Sequence, residues 1–241
     1  IPPPAGNEFD VQGASPGPAR LSPDGTMIAF SAIDENGRAM LWLRQVGARE
    51  ATMLTGTESA AYPFWSPDSQ TIGFFDLEGR RLRKVAAVGG PPTTLCPAPN
   101  GKGGTWNEDG VIVFAADAGV GLSRVAATGG EATLLTTPEG QENSHRHPRF
   151  LPDGEHYVYL VRTNDAEGGH FPIRMGRLGS EETRDLTRSQ AAAEYHDGHL
   201  MTVREGVLMT TPFPAPWDGE IVGGVPLVEN VAVLGRGSAI A

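Results

Sequence analysis

Leu21-Ser22-Pro23-Asp24-Gly25 carries a complete turn in five letters. Proline presets φ, aspartate can accept a hydrogen bond from backbone just ahead of it, and glycine tolerates positive φ. The element returns as Trp65-Ser66-Pro67-Asp68-Ser69, Trp106-Asn107-Glu108-Asp109-Gly110 and Phe150-Leu151-Pro152-Asp153-Gly154, then in worn form as Tyr195-His196-Asp197-Gly198. Its aspartate stands at 24, 68, 109, 153 and 197, at intervals of 44, 41, 44 and 44 residues. Near-equal spacing of five copies marks an internal repeat, and a repeat decides architecture before any single element does.

Outward from the turn, every copy continues in the same way. An apolar, β-prone run follows: Met27–Phe30, Ile72–Phe75, Val111–Phe114, Tyr157–Val161 and Leu200–Val203. A polar turn leads to a second strand such as Met40–Leu43 or Gly206–Met209, and a glycine-rich turn leads to a short outer strand. The stretches Val85–Leu95 and Val125–Leu135 align residue for residue, with Gly89-Gly90 opposite Gly129-Gly130. No ten-residue stretch carries capped 3.6-residue periodicity, so helices are not expected. Four short strands in each unit of about 40–45 residues is the arithmetic of a β-propeller blade. The expected fold is therefore all-β: one propeller domain over 1–241, with four-stranded blades at about 15–58, 59–100, 101–142, 143–188 and 189–235.

Five copies leave closure open. A sixth turn aspartate is due near position 241, where the sequence stops. Residues 8–20 can lend a strand to a split blade and the residues after Val222 one more. Either the ring has six blades with an incomplete last one, or these residues are cut from a longer propeller; the second is the favoured expectation. The turns at Asn107-Glu108, which lacks proline, and at His196-Asp197 are expected to be looser.

The [Trp/Phe/Leu]-Ser-Pro-Asp-Gly turn with its apolar strand resembles the TolB-type, WD-like propeller repeat of bacteria. The ordered set Ala61–Ser69, Ser144-His145-Arg146 with Phe150–Gly154, and Val203-Arg204-Glu205-Gly206 resembles more closely the extracytoplasmic propeller of bacterial membrane-anchored Ser/Thr protein kinases. The resemblance covers about residues 8–235. It implies a sensory or scaffolding module of the cell envelope, periplasmic or otherwise extracytoplasmic, that binds a protein, peptide or other ligand on one face of the ring.

Composition narrows the function classes. With 29 acidic against 19 basic residues in a chain of 241, the net charge is −10, which disfavours nucleic acid as a partner. The longest apolar run, Val111–Ala116, is far short of the ~20 residues a membrane helix needs. The 32 glycines and 20 prolines make about a fifth of the chain, turn-rich without reaching the composition of disorder. The single cysteine, Cys96, excludes an internal disulfide and has no activating neighbour in sequence. The start at Ile1, without an initiator Met or a basic-then-apolar leader, is read as a processed product or part of a longer chain.

Catalytic motifs are sought next. A kinase needs a phosphate loop, a strand lysine and a His-Arg-Asp loop; the sequence holds none, and no Gly-x-Ser-x-Gly or His-Glu-x-x-His motif either. Gly101-Lys102-Gly103-Gly104 lacks Walker spacing and is read as a turn before an inner strand. The turn aspartates are read as turn stabilisers, and Trp65, Trp106, Phe150 and Tyr195 as inter-blade core. The resemblance places 145–149 on an innermost strand, where alternation would send His145, His147 and Arg149 to one channel-facing side and Arg146 and Pro148 to the other. These three are the candidate binding residues. His-x-His could begin a metal site but needs a third ligand from elsewhere, so no metal or other cofactor is assigned. The insert Asp165–His170 is a second candidate for partner contact. The expectation is a non-enzymatic interaction module. The alternatives are the propeller of a larger enzyme, such as the gate of a prolyl-oligopeptidase-like peptidase or a metal-dependent hydrolase, and a structural subunit of a membrane-associated assembly.

Overall fold

The computed structural model describes residues 3, 4, 6–9, 17–164, 166–234 and 239–240. Five antiparallel sheets follow one another along the chain, each wound outward from an inner strand. The second blade runs Ala60–Trp65, Thr71–Asp76, Arg81–Ala86 and Thr93–Pro97. The third runs Gly104–Trp106, Val111–Ala115, Leu122–Ala126 and Thr133–Leu134. The fourth runs Glu142–Phe150, His156–Thr163, Phe171–Arg177 and Thr183–Ser189, and the fifth Glu194–His196, His199–Arg204, Val207–Pro212 and Val225–Val228. This is a β-propeller of four-stranded blades. Among the described residues the one helical segment is a single 3-10 turn at Glu167–Gly169.

The first blade has its inner position split. Its long strand Met27–Asp34 pairs with Asn7–Glu8 at one end and with Arg20–Leu21 at the other, then with Ala39–Gln45, which carries the outer Thr52–Met53. So residues from 8–20 do contribute inner strand, although 10–16 lie outside the described residues. Beyond the fifth blade, Val233–Leu234 pairs with Ala239–Ile240 as a separate hairpin.

The turns explain the repeat. In Ser66-Pro67-Asp68-Ser69, the Ser66 hydroxyl donates to Asp68 Oδ1 at 2.5 Å and accepts Thr71 N–H at 2.9 Å, while Asp68 Oδ1 accepts Gln70 N–H at 3.0 Å. Ser22 and Asp24 repeat the arrangement. These bonds hold the Asp24 and Asp68 carboxyls below the usual range, the serine hydroxyl being the largest cause. Aspartate here fixes turns. Where serine and proline are missing, Asn107 substitutes: its Oδ1 accepts Val111 N–H at 2.8 Å and its carbonyl accepts Gly110 N–H at 3.1 Å. The fifth turn is tighter than expected, not looser. His196 pairs directly with His199 across Asp197 (φ 45) and Gly198 (φ 75), a two-residue hairpin with positive φ at both centres.

Blade packs on blade through four apolar clusters. Trp65 lies with Ala29, Leu41 and Leu43 of the first blade, and Trp106 with Phe75 and Leu95 of the second. Phe150 lies with Val113 and Leu122 of the third, and Tyr195 with Val158 and Leu160 of the fourth. The repeat aromatic of the second to fifth blades thus plugs the core shared with the blade before it, whereas the first blade has the exposed Leu21 at this position. Cys96 is buried in one of these clusters, and burial pushes its thiol up to about 11, so it is a packing residue.

Candidate functional site at the inner strands

Alternation along the innermost strands is broken by one extra residue in two blades. Between the pairs Ala61–Phe75 and Phe64–Gly73 two residues oppose one, and the same slip occurs between Arg146–Leu160 and Arg149–Val158. The bulged residues are Tyr62 (φ 50) and His147 (φ 52), each followed by a proline that has no N–H to give the ladder. Gly103 (φ 95) holds the same repeat position in the third blade. His147 N–H donates to Lys102 O at 2.9 Å, and a Cβ on Gly103 would stand 2.9 Å from His147 Nδ1. Only glycine permits that approach.

The bulge separates the candidate residues into two places. His147 is fully buried, its ring centroid 5.6 Å from that of Tyr62, and its Nε2 has no hydrogen-bond partner among the described residues. Burial, reinforced by Arg146 and Arg20 and opposed by Glu194, holds it down to about 3, so it is neutral. Arg149 stands nearby in charge terms: its Nε donates to Glu194 Oε2 at 2.9 Å, and its Nη1 donates to Gly104 O and Pro148 O at 3.1 and 2.8 Å. Glu194 also accepts Arg20 Nη1 at 2.5 Å, so one carboxylate of the fifth blade ties the first and fourth blades.

His145 belongs elsewhere. It is buried at the junction of the third and fourth blades, with Nδ1 2.7 Å from Thr136 Oγ1 and Nε2 3.0 Å from Glu142 Oε2. Thr136 Oγ1 accepts Leu122 N–H at 2.8 Å, so its proton goes to Nδ1 and the imidazole donates from Nε2 to Glu142. Arg174 holds the other Glu142 oxygen at 2.8 Å. Burial raises the Glu142 carboxyl, but the bonds from His145 and Arg174 outweigh it and leave it lowered. A polar cleft of about 400 Å³ opens on this cluster, lined also by Tyr159, Glu139 and Glu181. The hydroxyl–imidazole–carboxylate order resembles a nucleophile relay. Thr136, however, is engaged as acceptor for a backbone amide, the part Thr57 plays for Leu41 N–H in the first blade. The group is a fastener.

The sequence reading missed Lys102 and Arg146, which share one repeat position with Ala61. Lys102 is buried, its Nζ 5.4 Å from the centre of the Tyr62 ring, and makes no ion pair or side-chain hydrogen bond among the described residues. Arg146 Nε donates to Ser144 Oγ at 2.8 Å and Nη2 to Ala118 O at 3.2 Å. Burial lowers both pKa values, and neighbouring cations add to it: Arg146 acting on Lys102, Arg162 on Arg146. Aligning the copies by their turns, 41 and 44 residues apart, would have brought these two cations together. Among the described residues no three His, Cys, Asp or Glu side chains group so as to hold a metal ion. The insert after the second strand of the fourth blade lines a cleft of about 370 Å³ with Ala166, Gly169, Phe171 and Gln190; its Asp165 lies outside the described residues.

No family model and no curated protein matches the chain. Solved structures do. A TolB of Agrobacterium tumefaciens superposes with a TM-score of 0.60 at 18% identity, covering 70% of this chain and 64% of its own. TolB of Acinetobacter baumannii gives 0.60 at 16%, covering 82% and 52%, and the hydrazine synthase of Kuenenia stuttgartiensis 0.61 at 14%, covering 85% and 58%. The chain spans between half and two-thirds of these neighbours. At such identities the likeness establishes the fold: a TolB-like β-propeller.

Proposed function

We propose that the chain is a non-catalytic interaction module that engages a protein, peptide or other ligand at the inner strands around His147 and Arg149. One observation carries this reading. The hydroxyl and imidazole that could form a relay are occupied by the scaffold, Thr136 by an amide and His145 by Thr136 and Glu142, while the unpartnered imidazole of His147 is buried with no nucleophile hydrogen-bonded to it among the described residues. The fold alone does not choose a function. The resemblance of the ordered motifs to kinase-linked propellers supports an extracytoplasmic setting, with this module sensing or scaffolding as part of a longer membrane-anchored protein.

The test has two parts. Purified chain incubated with ATP and a protein acceptor, and separately with peptide amides, should show no turnover that survives repurification; persistent turnover defeats the reading. Arg149→Ala and His147→Ala should each reduce capture of the partner drawn from an envelope extract by more than tenfold per folded molecule, with Arg149→Ala lowering the Tm by only a few degrees for its lost Glu194 and carbonyl bonds. Undiminished capture by both variants would place the contact surface elsewhere. A second reading, the propeller portion of a larger enzyme, is favoured by the likeness to hydrazine synthase and would be borne out by a catalytic domain in the full-length product.

A further inference from the structure

Lys102 presents an unusual situation. Lysine is almost never buried unless paired, because a charge taken out of water needs a counter-charge or several hydrogen bonds. This lysine is 8% exposed, and no carboxylate of the described residues lies within ion-pair distance. Asp117 attracts it from farther off but is engaged with Ala118 N–H at 2.6 Å. The chain carries 29 acidic residues. Among those described, none has been placed on Lys102.

A second cation stands beside it. Arg146 is the residue before His147, whose N–H is bound to Lys102 O at 2.9 Å, so the backbones of the two cations adjoin. Arg146 spends Nε and one Nη2 bond on Ser144 and Ala118, and its Nη1 has no partner among the described residues. The Tyr62 ring forms one wall, with Nζ of Lys102 over it and the ring of His147 5.6 Å away. His147 Nε2, fully buried beside them, is likewise unpartnered. Like charges held together at a cost, against an aromatic wall, are what a pre-formed anion site requires.

We infer that Lys102 and Arg146 form a binding site for a carboxylate, with the Tyr62 ring against the carbon chain that bears it. Carboxylate is preferred to phosphate on donor count. Lys102 N–H is bound to Ala115 O and His147 N–H to Lys102 O, so these backbone amides are spent and form no nest for a third oxygen. An ammonium and the free edge of a guanidinium match two oxygens. The site deepens the interaction-module reading and rests on it.

Calorimetric titration of the whole chain at low ionic strength, in a chloride-free buffer, tests the site with glutarate, an acidic tripeptide amide and inorganic phosphate. Saturable binding of glutarate or of the tripeptide is expected, and whichever is tighter tells whether the carboxylate comes from a free acid or a polypeptide. Lys102→Met and Arg146→Gln should each weaken that binding by tenfold or more. Lys102→Met should at the same time keep or raise the Tm, because methionine removes an unpaired buried charge while filling the volume. A scaffold lysine would behave oppositely, losing Tm and leaving binding unchanged, and that result overturns the site. So does the absence of saturable carboxylate binding up to about 20 mM, well beyond the millimolar Kd of a weak site, or phosphate binding more tightly than glutarate. Consumption of the bound acid would instead sink the non-catalytic reading and leave the site standing.

Discussion

At the scale of single residues, the inner strands depend on positions where only one residue type fits. Gly103→Ala would set a methyl 2.9 Å from His147 Nδ1 and 3.1 Å from its Cα, at φ 95. A loss of about 2 kcal/mol or more is expected in urea unfolding, since the neighbour is backbone as well as ring and cannot simply rotate away. Wild-type stability in this substitution would mean that the third and fourth blades do not adjoin as described. His147 supplies the pH dependence. Its folded pKa of about 3 lies below the ordinary 6.5, so between those values the unfolded chain binds a proton that the folded chain refuses. Stability is therefore complete above about pH 6.5 and declines as pH falls, at up to roughly 1.4 kcal/mol per pH unit for one histidine. His145, lowered chiefly by burial, adds in the same direction. Denaturant midpoints measured from pH 7.5 to 4 should fall, and in His147→Gln the fall should be shallower. These details were not legible in the sequence. Simple alternation placed His145, His147 and Arg149 together, and a bulge at a non-glycine residue leaves no mark in one sequence except its proline, Pro148, which Pro63 shares.

At the scale of the element, the turn is where sequence and structure speak most nearly the same language. Serine, proline and aspartate each satisfy a named backbone group locally, so their spacing survives as a readable signal whatever packs around them. The strands following each turn were legible for the same reason, their apolar runs lying inside the observed strands at Met27–Asp34, Thr71–Asp76 and His156–Thr163. The fifth turn departs from the others because Asp197-Gly198 closes a two-residue hairpin with positive φ at both centres, which needs neither the serine nor the proline of the longer turns. Equivalent turns should respond alike. Ser66→Ala and Ser22→Ala each leave an N–H, of Thr71 and Met27, without its acceptor and should cost about 1 kcal/mol. Asn107→Ala should cost more, about 2 kcal/mol, because its Nδ2 also donates to Gly154 O at 2.8 Å and so joins two blades. Thermal or urea melts of the three variants check the order; equal losses would show that the cross-blade bond contributes nothing.

At the scale of the whole molecule, four junctions between successive blades are apolar, each with its repeat aromatic. Their legibility followed from repetition: a residue that recurs at one register must face its counterpart in the neighbouring unit. The tie between the first and fifth blades was not legible, because it is made by Arg20 and Glu194, 174 positions apart and outside the aromatic pattern. Glu194→Gln strips the counter-charge from Arg20 and Arg149 together. With side chains 14–29% exposed, the loss should be modest, about 1 kcal/mol, and smaller at high salt. A loss unaffected by salt would show that packing, not charge, holds these blades.

The Arg20–Glu194–Arg149 link also gives the molecule a clasp of a different material from its hinges. Apolar junctions tighten when salt such as sulfate is added, whereas a part-exposed ion pair is weakened by screening, which acts over about 10 Å at 0.1 M ionic strength. One solute can thus pull the two in opposite directions. In ammonium sulfate the four aromatic seams should exchange their amide protons more slowly while Arg20–Leu21 and Glu194–His196 exchange faster, a breathing motion confined to the clasp. Ionic strength then becomes a dial on how wide the inner strands stand apart at Arg20 and Glu194, independent of how firmly each blade is folded.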